Sequence, residues 1–242
     1  AERDGGKVHV LIGNHEAMNI YGDLRYVDPG EYAVFRTRNS RRMRDDFYDR
    51  DIEKRKLADP EFVANREFRQ QWEESIPLGM LEHRSAWGAE GKIGSWVRQH
   101  NTVIKINRTL FLHGGISSEV LDMSITEINE QIRLELNGGL GEEPGLSEKE
   151  TGPLWYRGLA TNAEEIEKAH LELVLATYDV DRVVIGHTPG LGTIVPRFEG
   201  RVLIIDTGLS SYYGGFRASL LLQNNEATTL QHEQEIPIPV TK

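Results

Sequence analysis

Four short apolar runs rich in β-branched residues punctuate the chain, and each closes at or beside a glycine with a polar residue next to it. Val8 to Gly13 precedes Asn14 and His15, and Thr109 to Leu112 precedes His113-Gly114-Gly115. Val183 to Gly186 precedes His187, and Val202 to Ile205 precedes Asp206-Thr207-Gly208. Runs of this length and composition read as buried strands with polar groups at their carboxyl ends. In open α/β sheets the loops beyond those ends converge while the strands fix their roots, so the pattern predicts one site fed by several strands.

The same alternation predicts pairings. Thr102 to Ile106, a turn at Asn107-Arg108 and Thr109 to Leu112 form one expected antiparallel hairpin. Gly192 to Val195, a turn near Glu199-Gly200 and Arg201 to Ile205 form another. Ala218 to Leu222, an Asn224-Asn225 turn and Ala227 to Leu230 form a third, ahead of a Pro-containing tail. Helical periodicity is clearest over Glu119 to Asn137 and over Ala163 to Tyr178, with Asn162 as N-cap of the second. A charged, Arg-rich segment between Asp28-Pro29-Gly30 and Pro77-Leu78-Gly79 also reads as helical, packed through Phe47, Tyr48, Phe62, Phe68 and Trp72. It predicts a helical insertion of about residues 30–100 over one end of the sheet. Gly138 to Gly152 reads as a loop.

Composition narrows the class. A chain of 242 residues with 38% hydrophobic residues buries enough surface for one large globular domain. Lys+Arg 28 against Asp+Glu 38 leaves a net charge of −10, which argues against nucleic acid and anionic membrane surfaces as partners and leaves room only for a local basic site. With Cys 0 there is no disulfide, thiolate metal site or cysteine nucleophile. No apolar stretch approaches the roughly 18 to 20 residues that span a bilayer, so a soluble chain is expected, with cytoplasm and periplasm both compatible. The N-terminal AERDGGK has neither a signal-peptide core nor an initiator Met, and reads as a cut end.

Gly13-Asn14-His15-Glu16 carries the sharpest chemistry. An amide oxygen and an imidazole on adjacent residues do not easily serve one metal, so Asn14 reads as an oxygen ligand and His15 as pointing at substrate. The alternative is a tight turn with Asn14 in left-handed geometry and His15 exposed. His113 and His187 each follow a strand and precede small residues that let backbone approach a metal. Neutral imidazole is a common ligand for Mn, Fe and Zn, and these two with Asn14 make a three-ligand set with open positions. One strand-end histidine is ordinary, but two together with Asn14-His15 point to a site.

Other residues keep two readings. Arg157, in Trp155-Tyr156-Arg157-Gly158, is a phosphate clamp or a surface arginine in a turn. Asp206 reads more readily as a loop cap than as a metal neighbour, and Tyr212 and Tyr213 more readily as packing than as substrate contacts. His9 alternates with the core face of its expected strand, and His83, His100, His170 and His232 have no partner pattern; all five read as structural or exposed. Arg36, Arg38, Arg41, Arg42 and Arg44, interleaved with Asp45, Asp46, Asp49, Asp51 and Glu53, read as a solvated helix face rather than a basic lip for a phosphoprotein.

In order, Gly13-Asn14-His15-Glu16, His113-Gly114-Gly115, Trp155-Tyr156-Arg157-Gly158 and Gly186-His187-Thr188-Pro189 resemble the later motifs of calcineurin-like phosphoesterases. The similarity is greatest to Shewanella-like phosphatases, bacterial relatives of the phosphoprotein phosphatases, and runs over nearly the whole chain except the helical insertion and the tail. It implies an α/β fold, a β-sandwich flanked by helices, with two divalent ions (Mn, Fe or Zn) and a metal-bridging hydroxide that attacks phosphorus in line. It also implies Asn14, His113 and His187 as ligands of the second ion, His15 as general acid, Arg157 as phosphate clamp and Glu16 as a residue orienting a neighbour. Asp206, Tyr212 and Tyr213 fall where this family often places a residue beside the metals.

The implied substrate is a phosphorylated protein, on serine, threonine or tyrosine, or a small phosphomonoester. Two alternatives stay open: a dinucleoside polyphosphate hydrolase, which Asp206-Thr207-Gly208 also resembles, and a non-catalytic phosphate-binding module. The chain departs from the family upstream, having no Asp-x-His and no Gly-Asp-x-x-Asp-Arg before Asn14. Gly22 to Asp28 is superficially similar to the second but follows Asn14 with the wrong spacing. Residues 1–242 are therefore expected to be the C-terminal part of the phosphatase domain without its N-terminal strands. Such a chain would hold one ion at most and turn over weakly or not at all. The rest would come from a longer polypeptide or a separate chain.

Overall fold

The computed structural model describes residues 1–139, 141–190, 192–224 and 226–239. They form two compact units, one of Ala1–Ala17 with Arg98–Lys242 and one of Met18–Val97.

The first unit holds a five-stranded mixed sheet of β1 (Val103–Ile106), β2 (Thr109–Leu112), β3 (Arg182–Ile185), β4 (Val195–Arg197) and β5 (Val202–Ile204), in the spatial order β1-β2-β3-β5-β4. β2, β3 and β5 run parallel, and the outer strands are antiparallel to their neighbours. All four residues of β3 and all three of β5 are buried, the pattern of strands covered on both faces. The first hairpin closes as expected, with Asn107 at φ 53° supplying the positive φ such a turn requires. The second is displaced: pairing starts at Val195 rather than Gly192, and Phe198, Glu199 and Gly200 reverse the chain at φ 50°, 58° and 81°. Burial of the Phe198 ring anchors that turn.

The Val8 to Gly13 run is not a strand. It makes one parallel bridge, between Leu11 and Asn101, and leaves Val8, His9 and Val10 exposed. Strand formation depends on cross-strand neighbours, and here the rest of the unit offers a partner at one residue only.

Side chains leave the central strands alternately to opposite faces. Val183 and Ile185 pack with Leu110, Leu112, Ile128, Leu171 and Val174 beneath α7 (Ile125–Leu134) and α9 (Glu164–Tyr178). Val184 and Leu203 turn the other way onto Ala227 and Ile238 of a second, three-stranded antiparallel sheet, β6 (Ser219–Gln223), β7 (Glu226–Gln231) and β8 (Gln234–Ile238). Each such burial contributes about 1.5–3 kcal/mol. β8 occupies the segment expected to be a tail; its Pro237 is tolerated because β8 is an edge strand paired only with β7. Asn224 takes φ 52° in the expected turn, and Asn225 lies outside the described residues, as does Leu140 in the Gly138 to Gly152 loop.

Two helix starts differ from expectation. α7 begins at Ile125 rather than near Glu119, because Ser124 and Glu127 form a capping box: Ser124 Oγ accepts from the Glu127 N–H and Glu127 Oε2 from the Ser124 N–H. α9 begins at Glu164 after Ala163, while Asn162 closes α8 (Gly158–Thr161) and turns its amide to Glu167.

α1 (Asn14–Tyr21) runs from the first unit into the second, whose remaining helices are α2 (Pro29–Phe35), α3 (Ser40–Ala58), α4 (Arg66–Ser75), α5 (Met80–Trp87) and α6 (Lys92–Val97). Asp28 caps α2 by accepting from the Gly30 N–H, with Pro29 at the first helical position. Phe47 and Tyr48 pack on Trp72, and Phe62 on Phe68. His83, 1% exposed, lies among Tyr32, Phe35 and Trp87. The Arg-rich run pairs as a helix face does, Arg42 with Asp46 along α3 and Arg44 with Glu73 across to α4. Among the described residues no helix is long and apolar enough to cross a membrane.

Candidate functional site

The register of β2 and β3 places Leu112 opposite Ile185, so the chains leave the sheet side by side. The Gly186 N–H donates to the His113 carbonyl at 2.9 Å and keeps them together one residue further. Beyond that point His113 Nε2 lies 3.1 Å from His187 Nδ1 and 2.8 Å from Asn14 Oδ1. His187 holds φ 62°, a left-handed conformation that costs of order 1 kcal/mol in a non-glycine residue and is typical of functional loops.

Glycines permit the approach. A Cβ on Gly13 would stand 2.9 Å from the His113 ring and 2.7 Å from Glu16 Oε2. Glu16 reaches back to accept from the Gly13 N–H at 2.9 Å, tying down the start of α1 that carries Asn14 and His15. A Cβ on Gly114 would meet the backbone of Pro153, Leu154 and Trp155 at 2.8–2.9 Å, so Gly114 lets the loop after β2 lie against the segment leading to Arg157. Arg157 Nη1 donates to the His187 carbonyl at 2.8 Å and to Thr188 Oγ1 at 2.9 Å.

Burial pushes the His113 imidazole down to about 4, helped by the nearby His15 and Arg157 charges. His187 falls to about 3 by burial, then His113, Arg157 and His15; the Trp155 main chain offsets part of that. Both rings are neutral at pH 7, the state in which imidazole binds a metal. His15, next in sequence to Asn14, is exposed, and its charge and that of Arg157 bear on both imidazoles.

The cluster fits a cation by its donor atoms. Asn14 Oδ1, His113 Nε2 and His187 Nδ1, an amide oxygen and two ring nitrogens, face one another. The buried His187 Nε2 makes no hydrogen bond of ordinary geometry. Among the described residues no group of three or more His, Cys, Asp or Glu is arranged to hold a metal, so the candidate donor set is two imidazoles and an amide.

Asp206, Tyr212 and Tyr213 stand apart from these contacts. Asp206 Oδ1 caps its own loop by accepting from the Gly208 N–H at 3.1 Å, and its carbonyl accepts from the Gly190 N–H at 2.6 Å. Tyr212 and Tyr213 are exposed and meet each other edge to face with centroids 4.9 Å apart. Two neighbours escaped the sequence reading. The Trp155 ring stands edge-on to His187 at 5.7 Å, and Thr188 supplies an anchor for Arg157. Both sit inside the motifs already singled out, where an aromatic two residues before the arginine and a hydroxyl next to the histidine were the available signals.

No family model matches the chain. It is 34% identical over 241 residues to an uncharacterised protein of Schizosaccharomyces pombe, covering 95% of this chain and 59% of that protein. It is 28% identical over 226 residues to Shewanella-like protein phosphatase 2 of Arabidopsis thaliana, covering 87% and 55%. Its fold is similar to the crystal structure of the cold-active protein-tyrosine phosphatase of a psychrophilic Shewanella species, with a TM-score of 0.65 at 28% identity over 98% of this chain and 60% of that one. The chain thus spans between half and two thirds of the length of these relatives. The named relatives are phosphatases, and the fold shared with the Shewanella enzyme is mixed α/β.

Proposed function

We propose that this chain carries one metal-ligand set and the phosphate contacts of a metal-dependent phosphatase acting on phosphomonoesters, phosphorylated proteins foremost. The observation that carries the reading is the convergence of Asn14 Oδ1, His113 Nε2 and His187 Nδ1 beside an arginine anchored on the His187 loop, in a chain whose named relatives are phosphatases.

Asn14, His113 and His187 would hold one divalent ion of a dinuclear centre, and this nitrogen and oxygen donor set suits Mn, Fe or Zn. The chemistry such ions supply when bound is neutralisation of phosphoryl charge and activation of water. Arg157 has Nη1 committed to the His187 carbonyl and Thr188, which aims the guanidinium and leaves its other N–H groups for phosphoryl oxygens. His15, exposed and next in sequence to Asn14, donates a proton to the leaving oxygen. Glu16 steadies the backbone beneath both Asn14 and His15 through the Gly13 N–H. These residues account for one ion of that centre.

Titration with Mn²⁺ and Zn²⁺ tests the reading. Saturable one-to-one binding that His113→Ala abolishes is expected, and a chain that binds neither ion sinks the metal assignment. Rates on phosphopeptides and dinucleoside polyphosphates, measured with the complete enzyme, decide the substrate class.

A further inference from the structure

Arg157 stands at the head of a helix too short to hold it. α8 has four residues, with Arg157 as N-cap and Asn162 as C-cap. A single turn is marginal because nucleation fixes several dihedrals for one hydrogen bond.

The turn is held from α9. The Glu167 carboxylate, 7% exposed, accepts from the Tyr156 hydroxyl at Oε2 (3.1 Å) and from Asn162 Nδ2 at Oε1 (2.6 Å). It therefore ties the residue before Arg157 to the residue that closes α8. Gly158 leaves the space for this: a Cβ there would lie 2.1 Å from the Tyr156 hydroxyl and 3.0 Å from Glu167 Oε1. Burial, with the Glu167 charge, pushes the Tyr156 phenol up to about 12 and keeps it a donor. Arg197 secures the other end by donating Nη1 to the Leu159 carbonyl at 2.8 Å and Nη2 to the Asn162 carbonyl. Burying a carboxylate is costly unless its oxygens are paired, and both oxygens of Glu167 are committed to the flanks of Arg157.

We propose that Glu167 is a positioning residue for Arg157: by bracketing α8 it fixes the guanidinium against the His187 carbonyl and Thr188, pre-aimed for a phosphoryl group. That Arg157 contacts phosphate rests on the functional reading above; the positioning rests on the bracket alone.

The test uses the whole chain labelled with ¹⁵N-arginine, the Arg157 signal being assigned through Arg157→Lys. Two acceptors on Nη1 should hinder guanidinium rotation and slow its proton exchange in the wild type. Glu167→Ala is expected to abolish that signature and to weaken inorganic phosphate binding to the Mn²⁺-loaded chain roughly tenfold. Glu167→Gln, which keeps one acceptor, should fall between. Val174→Ala, a core truncation about two turns along α9, should lower the melting temperature and leave the signature intact. An unchanged signature in both Glu167 variants, or its loss in Val174→Ala, overturns the proposal. Should Glu167→Ala fail to fold, Glu167→Gln decides alone. If the wild type binds no phosphate, the functional reading falls while the arginine signature still decides the positioning.

Discussion

His113 Nε2 lies 2.8 Å from Asn14 Oδ1 across 99 residues of sequence, and the missing side chain of Gly13 leaves room for the His113 ring. The Gly13 Cα lies under the His113 ring, where a methyl would be 2.9 Å from two ring atoms. Gly13→Ala should therefore push the ring off Asn14. We expect Mn²⁺ affinity to fall about tenfold or more, as for loss of a group that orients a ligand, and stability to fall by about 1–3 kcal/mol from overpacking. Calorimetric metal titration and urea denaturation check both, and unchanged affinity would show that the ring position is not set by this contact.

His15 and His113 should separate chemistry from metal binding. In the complete enzyme, His15→Ala is expected to lower kcat by about 10²–10⁴-fold while metal content stays at the wild-type level. His113→Ala should lose metal, and with it turnover. Metal analysis alongside turnover of an aryl phosphate distinguishes the two, and unaltered turnover in His15→Ala removes its assignment as the acid.

Arg157→Lys tests whether the planar guanidinium matters or only its charge. A lysine cannot hold the His187 carbonyl and Thr188 while offering a second pair of donors. The loss should be about 1.5–3 kcal/mol in phosphate binding, read as a raised inhibition constant for inorganic phosphate with metal affinity unchanged. Equal inhibition in both proteins would return Arg157 to a purely structural role.

His83 should make the metal-free chain acid-sensitive. Its burial lowers its affinity for protons, with Glu31 opposing and Arg84 adding to the shift, so the folded pKa lies below that of the unfolded chain. The unfolded state then binds more protons once pH drops below about 6.5, and stability falls with acidification while being fully present above that pH. His113 and His187, at about 4 and 3, contribute with the same sign and carry the loss to lower pH. The urea midpoint should drop between pH 7 and pH 5, and His83→Leu should flatten that slope in part. Identical slopes in the two proteins would exclude His83 as a contributor.

The strands β2, β3 and β5 and the three predicted hairpins, the second with a displaced start, were legible because apolar β-branched runs and turn residues are local signals. Glu119 to Ser124 carried helical periodicity, yet α7 begins only where Ser124 and Glu127 close a capping box. The Val8 run carried an equally good strand pattern and met one bridge partner. β8 was invisible because Pro237 reads as a strand breaker until its edge position is known.

The sequence by itself determined which chemistry is available to this protein: no thiol, an amide and three imidazoles at run ends, and an arginine between a tyrosine and a glycine. It also marked the glycines on which close approach depends. Only the tertiary structure decided that Asn14, His113 and His187 face one another, that Arg157 is anchored on the His187 loop, and that Asp206 caps its own turn. The physical reason is range. Propensity and capping act within a few residues, whereas strand register and the packing that brings ring to glycine across 99 positions exist only once the chain has closed on itself.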